Sequence, residues 1–264
     1  MRNDFETLSW ERVDDHILLL TLDRPQSANA MNTQMGYDLR DLFMGLYINQ
    51  EDLRCIVLTG RGDKVFCAGG DLKERNGMTD ETWQQQHALF EQAVKAFRDC
   101  PVPVIAAVNG PAYAGGCEFV LLADFAYAST KARFALTEVT LGIMPGAMGT
   151  QNMPHAVGER RAKEIILTGT PFGAEEALQW GLVNKLCSPE TLLEETLETA
   201  RKIAANAPVS TRQAKKSIAV ATQVDRNTGY MYEIEAYNRM VTTEDRLEGI
   251  KSFNEKRKPV YKGK

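Results

Sequence analysis

Two glutamates are the residues of this sequence best suited to proton transfer. Glu118 follows two glycines and a cysteine in "YAGGCEF" (113–119), and Glu138 closes "FALTE" (134–138). Both acids border apolar segments, and burial raises the pKa of a carboxyl toward neutral pH, where it can accept or donate a proton. Two carboxyls in different environments can divide acid and base work. Taken alone, Glu118 is explained as a charge favoured at the start of a helix, and Glu138 as an exposed loop acid.

Glycines follow a predicted strand in two places, "FCAGGDLKE" (66–74) and "NGPAYAGGCE" (109–118). Glycine lets the backbone turn tightly and lets another group approach it closely. The first N–H groups of a helix have no partner within the helix. Two such segments can therefore aim N–H groups at one oxygen, which is the arrangement of an oxyanion hole. Taken alone, each pair of glycines is better explained as an ordinary tight turn.

The composition argues against several other classes of protein. The chain has 264 residues and a net charge of −4, and its one basic block is the tail "EKRKPVYKGK", so a nucleic-acid surface is not favoured. The five cysteines are scattered, and the three histidines form no close pair, which argues against a metal site or a Ser-His-Asp triad. The sequence predicts neither a signal peptide nor a membrane-spanning segment, and we expect a cytoplasmic protein with free thiols.

The elements that must position these residues alternate between strands and helices. Apolar runs predict buried strands, and helical periodicity with a cap at Thr79 or Asp80 predicts a helix over 79–100. After about residue 158 the pattern is almost entirely helical, which favours an α/β core followed by helices. The predicted strands lie within 16–25, 53–63, 102–112, 124–130 and 133–138, and a further helix lies within 32–49.

The sequence resembles the enoyl-CoA hydratase (crotonase) superfamily over nearly its whole length. The resemblance rests on "CAGGDLKE", "VNGPAYAGGCEFVLLADFAYAS", "ARFALTEVTLGIMPGAMGTQNMPHAVG" and "AKEIILTG" taken together. It implies an α/β fold in which ββα repeats form a spiral core over 1–200. A helical trimerisation region over 201–264 would then assemble a homotrimer or a dimer of trimers.

The resemblance also assigns roles to the glycines and acids. Gly70 and Gly115 match the positions whose N–H groups hold the thioester carbonyl oxygen, and Glu118 and Glu138 match the two catalytic glutamates of hydratases. We expect reversible syn addition of water to a 2-enoyl-CoA, with Glu118 activating the water and Glu138 protonating C2. Both acids can also hold the same water. Gly146 matches a position whose N–H holds the water or the substrate.

Coenzyme A would enter only as part of the thioester substrate, with no other cofactor and no metal. By resemblance, the residues along its path are Ala28, Ala68, Asp71, Leu72 and Lys256. For Lys256, a solvated basic tail is an equally good explanation.

Departures from the family pattern bear on the acyl group. Met148 stands where a glycine is common, and Tyr113 also departs from the usual choice. Together with Trp83 and Phe90, in the variable wall segment 75–90, these residues are expected to line the substrate pocket. The hypothesis is a branched or glutaconyl-type acyl group, such as isohexenylglutaconyl-CoA.

Two alternatives to hydration remain open from the sequence. An enoyl-CoA isomerase would need only one acid, and a non-catalytic RNA-binding or scaffold relative would need a basic face. Cys67 and Cys117 flank the glycine segments, and small buried apolar residues explain them better than thiol nucleophiles do.

Overall fold

Nine strands occur within residues 4–264, the part of the chain that this computed structural model describes: β1 (Leu8–Asp14), β2 (Ile17–Leu22), β3 (Cys55–Gly60), β4 (Val104–Val108), β5 (Ala112–Tyr113), β6 (Phe125–Ser129), β7 (Arg133–Ala135), β8 (Phe172–Gly173) and β9 (Lys185–Cys187). Six of them form one sheet in the order β1-β2-β3-β4-β6-β9, in which β1 is antiparallel to β2 and the other neighbours are parallel. The remaining three, β5, β7 and β8, form a second, smaller sheet.

Eleven α-helices are present in the same residues: α1 (Thr33–Ile48), α2 (Leu72–Arg75), α3 (Asp80–Arg98), α4 (Gly115–Leu122), α5 (Gly149–Val157), α6 (Glu159–Thr168), α7 (Ala174–Trp180), α8 (Leu192–Ala204), α9 (Pro208–Ala221), α10 (Arg226–Val241) and α11 (Glu244–Asn254). Within residues 4–264, none of them combines the length and apolarity that crossing a membrane requires. Thr79, one of the two predicted caps, begins α3 by accepting a hydrogen bond from the N–H of Thr82. The helical region predicted after about residue 158 consists of separate helices, and Thr243 caps the start of the last one, α11.

Strand β2 is apolar at almost every position because both faces of the sheet are covered. Leu18 and Leu20 belong to the core under α1 and α3, whereas Ile17 and Leu19 belong to a second core with residues of α8. A parallel sheet buried on both faces gives continuous apolar runs of this kind. Helix α8 therefore packs on the sheet. The predicted boundary between the spiral core and the trimerisation region, between residues 200 and 201, falls inside this helix.

The loops that contain the candidate site residues follow the carboxyl ends of parallel strands. Because β2, β3 and β4 are parallel, their carboxyl ends lie at the same end of the sheet. Segment 66–71 then lies between two neighbouring loops. The N–H of Ala68 donates to the carbonyl of Ala28 at 3.1 Å, and the N–H of Tyr113 donates to the carbonyl of Cys67 at 2.9 Å. Both glycine segments are thus held side by side.

Candidate active site

A cavity of about 480 Å³ is bounded by both glycine segments and both predicted acids. Within it, the structure brings together most of the residues that the sequence singled out. Those found in the wall are Ala68, Gly70, Leu72, Trp83, Phe90, Gly115, Glu118, Glu138 and Gly146.

The two glycine segments pack with almost no side chain between them. A Cβ atom at Gly116 would lie 2.2 Å from the carbonyl oxygen of Cys67, and one at Gly69 would lie 2.7 Å from the Cβ of Ala114. Gly69 also has a φ of +91°, which L side chains rarely adopt. Glycine at these positions lets the two backbones touch, which places Gly70 and Gly115 in one wall.

The backbone N–H groups of Gly70 and Gly115 are available to a group in the cavity. Neither donates a hydrogen bond among the backbone contacts found in residues 4–264. Gly115 is the first residue of α4, where an N–H has no helical partner. Ala114, just before it, has φ 49° and ψ −124°, a conformation dominated by glycine in turns. The structure thus holds a strained residue directly beside a free donor.

Glu118 is a buried carboxyl with one oxygen fixed. Glu118 is only 2% exposed. Its Oε1 accepts hydrogen bonds from the N–H groups of Ala147 and Gly149, both at 2.8 Å. Burial, and secondly the charge of Glu138, raises the pKa of Glu118 to about 7, against the lowering effect of the two N–H donors. The carboxyl can therefore exchange a proton near neutral pH.

Glu138 supplies a second carboxyl to the same wall. It begins a short 3₁₀ helix, Glu138–Leu141, and is 6% exposed. Burial raises its pKa as well. Its Oε2 is buried and has no hydrogen-bond partner within residues 4–264. Because a buried polar atom without a partner costs free energy, this oxygen is suited to bind a polar group that enters the cavity.

Two residues predicted to line the pocket lie outside its wall. Met148 has a φ of +72° and occupies the position before α5, between the two residues whose N–H groups hold Glu118. Tyr113 belongs to β5 and is paired with β7. Neither contributes to the wall that residues 4–264 form around the cavity.

Only some of the residues predicted along the coenzyme A path lie in the cavity wall. Ala68 and Leu72 lie in the cavity wall. The carboxylate of Asp71 forms an ion pair with Arg24 at 3.0 Å and caps α2. The carbonyl of Ala28 accepts the hydrogen bond from the N–H of Ala68 that was described above. Lys256 follows the end of α11 and lies outside the cavity wall formed by residues 4–264.

Arg75 and His87 are among the polar wall residues that were not singled out from the sequence. A Cβ atom at Gly146 would lie 2.6 Å from Cε1 of His87, so the imidazole packs directly on this glycine. Both residues fall inside segment 75–90, which was expected to form the acyl wall. Nothing in the spacing of the sequence separated them from the other polar residues of that segment.

The cysteines beside the site are buried and free. Cys67 and Cys117 are 0% exposed, and burial raises the pKa of Cys67 to about 12 and that of Cys117 as well. A thiol with a raised pKa is a poor nucleophile. The interpretation of both as small buried residues is confirmed. Within residues 4–264, no group of three or more metal-binding side chains was found.

Within residues 4–264, two backbone N–H groups without a backbone partner and two buried carboxyls share one cavity wall in an α/β core, an arrangement suited to acid–base chemistry beside a polarised carbonyl. Comparison with known proteins names the family of this chain. The sequence model of the enoyl-CoA hydratase/isomerase family matches residues 12–264. The crystal structure of an enoyl-CoA hydratase from Bacillus anthracis superposes with a TM-score of 0.96 at 40% identity, covering 98% of this chain and 100% of that one.

Two further relatives agree with this assignment. A short-chain-enoyl-CoA hydratase from Clostridium acetobutylicum is 38% identical, with 92% of each chain covered. An (E)-benzylidenesuccinyl-CoA hydratase from Thauera aromatica is 35% identical, covering 95% of this chain and 97% of the relative. The chain belongs to the enoyl-CoA hydratase/isomerase family. The predicted family, the crotonase-type α/β fold and an enzyme of the hydratase type are confirmed.

Proposed function

We propose that this protein catalyses the reversible addition of water to the double bond of a 2-enoyl-CoA. The observation that carries the proposal is the presence of two buried carboxyls, Glu118 and Glu138, each with a raised pKa, in one cavity wall. A single acid is enough for moving a double bond, whereas hydration has to handle a water molecule and a proton on carbon. The pair therefore favours the hydratase over the isomerase.

In the proposed reaction, the N–H groups of Gly70 and Gly115 donate to the thioester carbonyl oxygen. They stabilise the enolate-like charge that develops there, and losing one such donor typically costs about 3 kcal/mol of barrier. Glu118 Oε2 takes a proton from water while the water oxygen bonds to C3. The π electrons of the C2–C3 double bond move toward C2, which takes a proton from Glu138, on the same face. Gly146 is proposed to hold the water or the substrate through its N–H.

Coenzyme A is proposed to enter only as part of the substrate. Ala28, Ala68, Asp71, Leu72 and Lys256 are the proposed contacts along its path. For Asp71 the proposal concerns the backbone, because its carboxylate is paired with Arg24.

The C-terminal helices are proposed to form a homotrimer or a dimer of trimers. Large apolar side chains of α10 and α11 are exposed in the single chain, including Met231 at 70% and Phe253 at 83%. Exposed apolar residues in such numbers are typical of an interface.

The acyl group is proposed to be branched or of the glutaconyl type. Relatives in the family carry names for short-chain and for benzylidenesuccinyl thioesters. We therefore expect the acyl wall, rather than the acids or the oxyanion donors, to set the choice of substrate.

Hydration and isomerisation are separated by comparing Glu118→Gln with Glu138→Gln. Hydration, followed by the loss of enoyl-thioester absorbance, should fall about 100-fold or more in both variants, because each acid handles a different proton. An isomerase would keep most of its activity on a 3-enoyl-CoA in Glu118→Gln. A scaffold protein would turn over neither substrate, and either result would overturn the proposal.

A further inference from the structure

Arg75 places a positive charge in the wall that also holds Glu118 and Glu138. It is the last residue of α2 and is partly buried. Its guanidinium lies 4.3 Å from the ring centre of Trp83 and 5.5 Å from that of Phe90. Stacking on aromatic rings limits the orientations that a guanidinium can adopt.

A buried glutamine, Gln86, holds the side chain of Arg75 through a hydrogen bond. Nε of Arg75 donates to Oε1 of Gln86 at 2.8 Å, and Gln86 is 4% exposed. The amide nitrogen of Gln86 donates to Thr33 Oγ1 and to Glu74 Oε2, both at 2.8 Å. Glu74 is the acid that precedes Arg75 in the sequence. Its carboxylate accepts hydrogen bonds from Gln86 and, at 2.9 Å, from the N–H of Thr33.

Among residues 4–264, no carboxylate lies within ion-pair distance of the Arg75 guanidinium. In the same residues its one hydrogen bond is made through Nε, so its terminal nitrogens donate no hydrogen bond. Burial lowers the pKa of Arg75, against the raising effect of Glu74. A cation removed from water without a partner is costly, and the cost is offset when an anion binds beside it.

The guanidinium also lies close to the proposed oxyanion donor. A Cβ atom at Gly70 would be 3.4 Å from Nη1 of Arg75. An anion bound by Arg75 would therefore belong to the acyl part of the substrate, close to the thioester. A short acyl chain with its own carboxylate meets this requirement, whereas a branched hydrocarbon leaves the cation without a partner.

We infer that Arg75 binds a second carboxylate on the acyl group, so that the preferred substrate is a short dicarboxylic enoyl-CoA of the glutaconyl type. The inference rests on the proposed function, because it takes an acyl-CoA to be the occupant of the cavity. Nη1 and Nη2 form the planar fork that suits a bidentate carboxylate. Arg75 is then a specificity residue, separate from the acids that act on water.

The test compares the binding of two saturated thioesters, glutaryl-CoA and butyryl-CoA, which cannot be hydrated. Calorimetry should show that the natural protein prefers glutaryl-CoA, and that Arg75→Met weakens glutaryl-CoA binding about 10- to 100-fold while leaving butyryl-CoA nearly unchanged. Arg75→Lys should restore part of the preference. Arg75→Gln provides a second neutral variant if Arg75→Met does not fold.

Arg161 offers a matched control, because its guanidinium also stacks on a tryptophan, Trp180, at 4.3 Å but lies outside the cavity wall. Arg161→Met should keep the preference for glutaryl-CoA. No preference in the natural protein, or equal losses for both thioesters in Arg75→Met, would overturn the inference even if crotonyl-CoA is hydrated. An Arg75-dependent preference without hydration of glutaconyl-CoA or crotonyl-CoA would support the role of Arg75 and overturn the proposed hydratase.

Discussion

Oε1 of Glu118 lies 2.8 Å from the backbone nitrogen of Gly149, the first residue of helix α5. The N–H of Ala147 donates to the same oxygen at 2.8 Å. With Oε1 held by two donors at a helix N-terminus, Oε2 is the oxygen left to exchange a proton. A loop about thirty residues further along the chain thus occupies one oxygen of Glu118 and leaves the other for the proton transfer that we propose.

Gly149→Ala should misplace this carboxyl while leaving the fold intact. A Cβ atom at Gly149 would lie 2.7 Å from Oε1 and 3.0 Å from Cγ of Glu118, so the side chain has to move. Small displacements of a catalytic group can cost about 100-fold in rate, and we expect kcat for hydration to fall at least 10-fold. The control is Gly45→Ala in α1, where a Cβ atom meets nothing within 4 Å. An unchanged kcat in Gly149→Ala would show that this contact does not position Glu118.

Glu118→Gln should make the protein more stable above neutral pH. The pKa of Glu118 is raised from 4.5 to about 7 by burial and by Glu138, so the folded state binds the proton more tightly than the unfolded state. Stability is therefore lost as pH rises from about 4.5 to about 7. Glutamine carries no such charge, and its oxygen can still accept from Ala147 and Gly149.

The gain in unfolding free energy should be on the order of 1–3 kcal/mol at pH 8 and should vanish near pH 4.5. Urea unfolding of both proteins at several pH values measures this difference. A variant that is less stable than the natural protein at pH 8 would contradict the assigned cause of the raised pKa.

The main elements of the fold could be predicted because their signals are local. β2, β3 and β4 are buried on both faces and therefore appear as continuous apolar runs. The edge strand β1 was missed, because most of its residues are at least partly exposed and its sequence, "LSWERVD", mixes polar and apolar residues. Helix α5 was missed because it begins within a stretch rich in glycine and follows a residue of left-handed conformation.

The candidate site was predictable only in part for a related reason. Glu118 and Glu138 stand beside apolar segments, and the family resemblance assigned them a common role. Arg75 gave no comparable signal, because its place in the cavity depends on Trp83 and Gln86, which reach it across space from another helix. Contacts of this kind cannot be read from spacing along the chain.

The adjacent glycines 115 and 116 should respond very differently to alanine. A Cβ atom at Gly116 would lie 2.2 Å from a backbone oxygen, that of Cys67, and the two loops would have to separate. At Gly115 the nearest atom is the flexible end of Met31, at 3.5 Å. We expect Gly116→Ala to lose at least about 1–3 kcal/mol of stability, as overpacking typically does, and Gly115→Ala to unfold close to the natural protein. Thermal melting of both variants measures this, and similar melting temperatures would contradict the close packing of the loops.

Ala114→Gly should stabilise the protein, although glycine usually weakens a fold. Ala114 has φ 49° and ψ −124°, and a non-glycine residue in such a region typically costs about 1–3 kcal/mol. Glycine relieves this strain and loses about 0.4–1 kcal/mol through the greater freedom of the unfolded chain, so a net gain of about 1 kcal/mol is expected. Ala112→Gly is the control, because Ala112 is buried in β5 with no positive φ, and this change should destabilise the protein. If denaturant unfolding shows Ala114→Gly to be as destabilising as the control, Ala114 is not strained, and the donor of Gly115 is held in place by the packing of the two loops alone.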